Sequence, residues 1–251
     1  MFLADLHMHS TFSDGHLELP DLIDNYGERG FGAIAVTDHL CESNTFLGHA
    51  ARWLDRTLTP QTFPAYLNLL DQEIERAWDQ YKMLVIPGFE ITKNSLNFHK
   101  SAHIVALGVK TWIDASQEID DIIDQIHDAG GLAIAAHPVS TKKIEAQTFH
   151  LWSRRYELAQ KMDAWEVASG KEIFELVAKS GLPMLANSDL HHPSQISSWK
   201  TAFHCERHPE AIMKAIKQQD LDFRFYSDEL VQPTYAQIKH FSAPLKVANS
   251  F

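Results

Sequence analysis

Eight short segments rich in aliphatic and β-branched residues recur along the chain: "MFLADLH" from residue 1, "GAIAVTDH" from 32, "MLVIPGFE" from 83, "AHIVALGV" from 102, "GLAIAAHP" from 131, "AWEVAS" from 164, "LPMLANSD" from 182 and "TAFHC" from 201. Most are apolar without alternation, the pattern of strands covered on both faces in a parallel sheet. The spacers carry apolar residues at helical spacing. Leu19, Leu22, Ile23 and Tyr26 form one stripe, closed by Gly27 and Gly30. Leu67, Leu70, Ile74, Trp78 and Tyr81 form a second, and Ile119, Ile122, Ile123 and Ile126, stopped by Gly130 and Gly131, a third. Ile212, Met213 and Ile216 form a shorter one. Such stripes are core-facing helix surfaces. Regular alternation of strand and helix predicts an α/β fold with a parallel sheet. Roughly seven or eight such units in 251 residues suit a TIM-like (β/α) barrel. An open doubly wound sheet is the alternative, although neither G-x-G-x-x-G nor a Walker A pattern is present.

The length suits a single domain spanning residues 1–251. Residues 41–64, "CESNTFLGHAARWLDRTLTPQTFP", interrupt the alternation and read as an insertion that serves as a lid or substrate wall. Cys41 and Cys205 are the two cysteines, too few for a disulfide scaffold, so a cytoplasmic setting is expected. No apolar run approaches a membrane span, and the start lacks a secretory pattern. A formal net charge of −11 argues against an extended grip on nucleic acid.

The polar residues fall at particular places. "FLADLH" ends in His7, "AIAVTDH" in Asp38 and His39, "LVIPGFE" in Glu90, "LAIAAHP" in His137, and "PMLANSDLH" in Asp189 and His191. In parallel α/β folds the C-terminal strand ends converge on one mouth, where sites are built. One such residue usually caps a turn; five strand ends closed by imidazoles and carboxylates form a chemically coherent set. With fifteen histidines and no thiolate pair, the set suits Zn, Mn or Fe. In "HMH", alternation puts His7 and His9 on one side and Met8 in the core. His103 opens its run instead of closing it, so its strand enters the site from the opposite direction or the barrel is distorted there; His99 competes with it. So many donors exceed one ion's needs, which implies two or three divalent metal ions, with Glu90 as the natural bridge. Lys142, Lys143 and Lys171 follow strand ends and are candidate anchors for a substrate anion. The other histidines, His127 and His192 among them, read as ordinary surface or helix residues.

At "DLHMHSTFSDG", "VTDH", "PGFEIT", "AHIVALG", "AAHP" and "NSDLH", in this order over residues 5–191, the sequence resembles the PHP family, the polymerase and histidinol phosphatase metal-dependent phosphoesterases. The resemblance implies a distorted (β/α)7 barrel with its metal site at the C-terminal strand ends. It implies that His7, His9, Glu90 and Asp189 hold one ion, that Asp14, His39 and His191 hold a second, and that Glu90, His103 and His137 hold a third. The implied reaction is hydrolysis of a small phosphorylated molecule, such as a nucleotide or a sugar or amino-alcohol phosphate. A metal-bound hydroxide is the expected nucleophile, with no side-chain nucleophile.

Two other enzymes fit parts of the pattern: an amidohydrolase-type metallohydrolase, and a phosphodiesterase or exonuclease acting on short nucleic acid. Amidohydrolases often carry a ligating strand lysine, and no lysine closes an apolar run here. A non-catalytic metal-binding or interaction module is a further reading, and such a domain should have lost ligands.

Overall fold

The computed structural model describes residues 1–42, 50, 56–94, 101–139 and 149–228. Its strands are β1 (Phe2–Asp5), β2 (Ala33–Val36), β3 (His39–Cys41), β4 (Leu84–Lys93), β5 (Ala102–Leu107), β6 (Leu132–Ala135), β7 (Ala164–Ser169), β8 (Glu172–Ile173), β9 (Met184–Asn187), β10 (Trp199–Phe203) and β11 (Leu221–Phe225). The helices are α1 (Leu19–Gly27), α2 (Phe63–Tyr81), α3 (Ile119–Asp128), α4 (Phe149–Ser153), α5 (Arg155–Leu158), α6 (Glu175–Ala178) and α7 (Pro209–Gln218). The result is a mixed α/β fold around one curled sheet, in the order β11-β10-β1-β2-β4-β5-β6-β7-β8, with β3 paired to β4 and β9 to β7.

The expectation of a parallel sheet holds for β1–β2, β2–β4, β3–β4, β6–β7 and β7–β9. It fails elsewhere. β5 runs antiparallel to both β4 and β6, and β10 runs antiparallel to β1 and β11. Continuous apolarity reports burial on two faces and does not encode strand direction. Reversal of β5 brings His103, near its start, level with Thr92 of β4. Glu90 does not end its strand: β4 continues to Lys93 because β3 and β5 pair with its second half.

Two-sided burial explains the uninterrupted runs. In β2, Ile34 and Val36 join one core, while Ala33 and Ala35 join the other. In β5, Ile104 and Ala106 oppose Val105 and Leu107 in the same way. The first core takes Ile119, Ile122, Ile123 and Ile126 of α3, and the second takes Ile212 and Ile216 of α7. The sheet also folds towards itself. Met8 forms a parallel bridge with Leu190, Leu6 N–H donates to Asn187 Oδ1 at 2.9 Å, and Ala186 N–H donates to Thr201 Oγ1 at 3.0 Å.

The stripe expected on α2 is rotated. Its buried side chains are Phe63, Tyr66, Leu70, Glu73 and Ala77, whereas Trp78 is 41% exposed. Arg76 ties this face of the helix to α1. Its guanidinium reaches Asp24 Oδ1 at 2.6 Å and the Pro20 carbonyl at 3.1 Å on α1, and Glu73 Oε2 at 2.6 Å, which draws Glu73 into the interface. The two helices approach so closely that a Cβ on Gly27 would lie 2.3 Å from Tyr81 Cδ2.

Beneath β1 lies a fully buried ion pair that the sequence pattern did not announce. Lys200 Nζ, on β10, is 2.6 Å from Asp5 Oδ2 and 2.7 Å from Ser198 Oγ. Asp5 also accepts from the Tyr26 hydroxyl at 2.6 Å and from the backbone N–H and hydroxyl of Ser188 at 2.9 and 2.6 Å. Burial pulls the Lys200 ammonium below its ordinary pKa against the attraction of Asp5. Among the described residues, no helix is long and apolar enough to cross a membrane.

Candidate metal centre

The chain leaves β1 in extended form, so alternate residues face the same way. Met8 enters the core, and His7 and His9 bring their Nε2 atoms within 3.2 Å of each other. Both rings are fully buried. The segment after β9 supplies Asp189, whose Oδ1 is 3.2 Å from His9 Nε2 and 3.4 Å from His7 Nε2. Glu90 projects from β4 between four histidines: Oε2 is 2.9 Å from His39 Nδ1 and 3.5 Å from His7 Nε2, and Oε1 is 2.9 Å from His103 Nδ1 and 3.4 Å from His137 Nε2. Asp14 Oδ1 lies 3.1 Å from His191 Nε2 and 3.4 Å from His39 Nε2.

All nine residues expected to ligate metal thus meet in one place. Their donor atoms form four overlapping groups, each within 4.8 Å: His9, Asp14, His39 and His191; His7, His137 and Asp189; His7, His9 and Glu90; and Glu90, His103 and His137. Buried polar atoms are normally hydrogen-bonded. Here His9 Nδ1, Asp14 Oδ1, Glu90 Oε2 and His137 Nδ1 are buried without a satisfactory hydrogen bond. A crowd of imidazoles and carboxylates with unspent lone pairs suits divalent cations.

Other residues hold this arrangement. Asp38, at a strand end like the others, faces away from it. It accepts from Ser10 N–H at 2.8 Å, Ser10 Oγ at 2.6 Å and Ser13 Oγ, pinning the loop that carries Asp14. In that loop a Cβ on Gly15 would stand 2.1 Å from the His9 carbonyl oxygen, so no larger residue fits the turn. His137 and Asp189 adopt φ of 25° and 53°, conformations that non-glycine residues rarely take and that cluster at functional sites.

A pocket of about 370 Å³ opens over the cluster; Cys41, Arg56, Thr92 and Asn94 complete its lining. Arg56, Asn94 and the buried Glu166 were not singled out from sequence. Glu166 did leave a signal, as the charged residue inside the apolar run "AWEVAS". Lys171 stands exposed in the turn between β7 and β8 and is not among the residues that line the pocket. Lys142, Lys143 and His99 lie outside the described residues, as do positions 43–49 and 51–55 of the expected lid. His192 is turned to solvent, where its Nδ1 caps the 3-10 turn Pro193–Ile196. His127 meets Asp163 Oδ2 at 2.8 Å, remote from the cluster.

Burial alone would disfavour the charged form of every group here. For His9 it prevails, aided by His39, and the pKa falls to about 3. It prevails at His103 too, where burial outweighs the pull of Glu90 and lowers the pKa. At the other cluster groups opposite charges prevail over it. Hydrogen bonds and carboxylate neighbours carry His137 (through Glu90) and His191 (through Asp14) up to about 9. His191 and His39 bring Asp14 down to about 2, and surrounding imidazoles hold Glu90 and Asp189 well below the usual carboxylate range. An imidazole must be neutral to ligate a metal. The raised pKa values of His7, His39, His137 and His191 favour protonated rings in the metal-free protein, so metal uptake is expected to release protons, and affinity is expected to weaken as pH falls below 9. Calorimetric titration with Zn²⁺ in buffers of different ionisation enthalpy reads this proton release directly; a buffer-independent enthalpy at pH 7 contradicts it.

Comparisons with known proteins agree with this geometry. The family model for the PHP domain matches residues 5–136, and the model described as PHP-associated matches residues 171–221. No curated protein matches. Among solved structures, a two-domain protein from Bacteroides vulgatus ATCC 8482, containing a predicted PHP-like metal-dependent phosphoesterase, aligns with TM-score 0.67 and 22% identity over 90% of this chain. The present chain covers 65% of that protein, less than two thirds of its length, and the likeness is one of fold. An amidohydrolase from Chromobacterium violaceum, with bound sulfate and no metal, aligns with TM-score 0.49 and 17% identity over 76% of this chain and 88% of its own. With more than half its length matched by the family model, the chain belongs to the PHP domain family.

Proposed function

We propose that the protein is a metal-dependent phosphoesterase, a hydrolase that cleaves the phosphate ester of a small molecule. The observation that carries this reading is the meeting of nine imidazole and carboxylate side chains, from positions 7 to 191, in overlapping groups beneath an open pocket. In this reading His7, His9, Glu90 and Asp189 hold one divalent ion, Asp14, His39 and His191 a second, and Glu90, His103 and His137 a third, as Zn, Mn or Fe. Such cations, when bound, supply Lewis-acid chemistry: they acidify water and neutralise charge developing on phosphoryl oxygens. The circuit β1-β2-β4-β5-β6-β7-β9 is read as a distorted (β/α)7 barrel, supported by the Met8–Leu190 bridge. Residues 1–251 are read as one catalytic domain, with 41–64 as its lid.

The protein's own residues divide the work. Glu90 turns one oxygen towards His7 and His39 and the other towards His103 and His137, and so can serve two ions. Asp14 orients the His39 and His191 rings. Among the described residues Arg56 is the cation that lines the pocket, and it makes no ion pair there, so it is free to meet a phosphoryl oxygen. Lys142, Lys143 and Lys171 remain further candidate contacts.

Full-length protein prepared with Mn²⁺ or Zn²⁺ is expected to hydrolyse p-nitrophenyl phosphate, and chelation is expected to abolish the activity. Arg56→Gln should raise KM by roughly 10-fold with a smaller change in kcat, the loss of one charge-assisted hydrogen bond. Hydrolysis of amides or lactones alone by the metal-loaded protein would replace this reading with the amidohydrolase one.

A further inference from the structure

Glu166 is fully buried on β7, behind the cluster and outside its four donor groups. Its carboxylate makes three hydrogen bonds to three different parts of the chain. Oε1 accepts from His7 Nδ1 at 2.8 Å and from Asn187 Nδ2 at 2.9 Å, and Oε2 accepts from the His137 backbone N–H at 2.7 Å. A carboxylate only accepts, so His7 Nδ1 carries a proton, and Nε2 is the nitrogen turned to the cluster. The bond to His137 has a second effect. It holds the peptide of a residue in the left-handed region, at φ 25°, from which the ring reaches Glu90 and Asp189. The two rings so anchored lie nearly parallel, 17° apart in plane, with centroids separated by 5.8 Å. With Asp189 they make up one of the donor groups. Asn187 extends the anchorage, since its Oδ1 accepts the Leu6 N–H just before the "HMH" stretch.

We propose that Glu166 is a positioning residue that fixes two metal-ligating histidines together, the ring of His7 and the backbone of His137, and thereby sets the His7–His137–Asp189 group. The inference rests on the metal-binding reading above. It differs from a general structural role in being selective. The group formed by His9, Asp14, His39 and His191 includes no partner of Glu166. Partners of this kind behind a metal ligand typically govern metal affinity by 10- to 100-fold.

The test is competitive titration of the full chain with Zn²⁺ against a chromophoric chelator. Glu166→Gln keeps the size of the side chain but presents an NH₂ where N–H groups must be received. The sites that use His7 or His137 are expected to weaken by roughly 10- to 100-fold while the site of Asp14, His39 and His191 keeps its wild-type affinity. Unchanged affinity throughout, or equal weakening of every class, overturns the proposal. Should Glu166→Gln not fold, Glu166→Asp keeps the carboxylate, withdraws it by one methylene and carries the same expectation. A second measurement needs no metal. The His7 Hδ1 proton of the metal-free wild-type protein should give an exchange-protected, downfield imidazole signal in NMR, and its absence overturns the proposal. A wild-type protein that shows this signal but takes up no metal keeps the positioning of His7 and refutes the metal reading instead.

Discussion

Glu90→Gln is expected to lower metal-dependent phosphoesterase activity by on the order of 10³-fold or more, with the protein still folded. The size follows from what the side chain touches. Glu90 is fully buried and belongs to two of the four donor groups, so one substitution weakens both. Metal ions contribute several kcal/mol of transition-state stabilisation, and each 1.36 kcal/mol is about tenfold in rate. An amide is a poor substitute, because it is neutral and offers one acceptor oxygen where His7, His39, His103 and His137 converge on two. Circular dichroism, elemental analysis for metal and p-nitrophenyl phosphate hydrolysis on the same sample separate misfolding from loss of the centre. A Glu90→Gln enzyme with full metal content and wild-type kcat would remove Glu90 from the ligand set.

Lys200→Met is expected to cost about 3–5 kcal/mol of stability, the usual effect of leaving one member of a buried ion pair behind. For a chain of this size that corresponds to a Tm lowered by roughly 10 °C. Asp5 would keep its bonds to Tyr26 and Ser188 but lose its cationic partner in a site without water access. The double substitution Asp5→Asn with Lys200→Met removes both charges and should recover part of the loss. Thermal and urea unfolding of the three variants forms the cycle. Because Ser188 precedes Asp189 and is held by Asp5, Lys200→Met is also expected to weaken metal binding, a consequence that a remote core substitution of equal cost would not have.

The residues that meet in the candidate metal centre were legible because a strand end is a punctuated position: an apolar run stops and a histidine or acid stands there. His7, His39, His137 and Asp189 could be found that way. His103 broke the pattern by opening its run, a break that left either a reversed strand or a distorted barrel open, and β5 is reversed. The direction of β10 was not legible, because burial on two faces gives the same apolar run in either orientation. The buried face of α2 was misplaced for a related reason. Neighbouring stripes on a helix share residues such as Leu70, and the face that turns inward also carries Glu73, which meets Arg76 where Arg76 reaches α1. Glu166, Arg56 and the Asp5–Lys200 pair are single polar residues without a period, and their roles depend on partners as much as 195 positions away.

The Met8–Leu190 bridge bears on when the centre comes into being. Contacts between such distant segments form against a large loop-closure entropy and tend to come late in folding. On a nascent chain, His7, His9 and Glu90 exist long before Asp189 and His191 have been synthesised. An ion captured at that stage meets an incomplete, three-donor group, and its hold tightens only once the second half of the chain has closed over it. Metal loading is therefore a report on completed folding, and a chain truncated before residue 189 should bind metal weakly even where its early strands are formed.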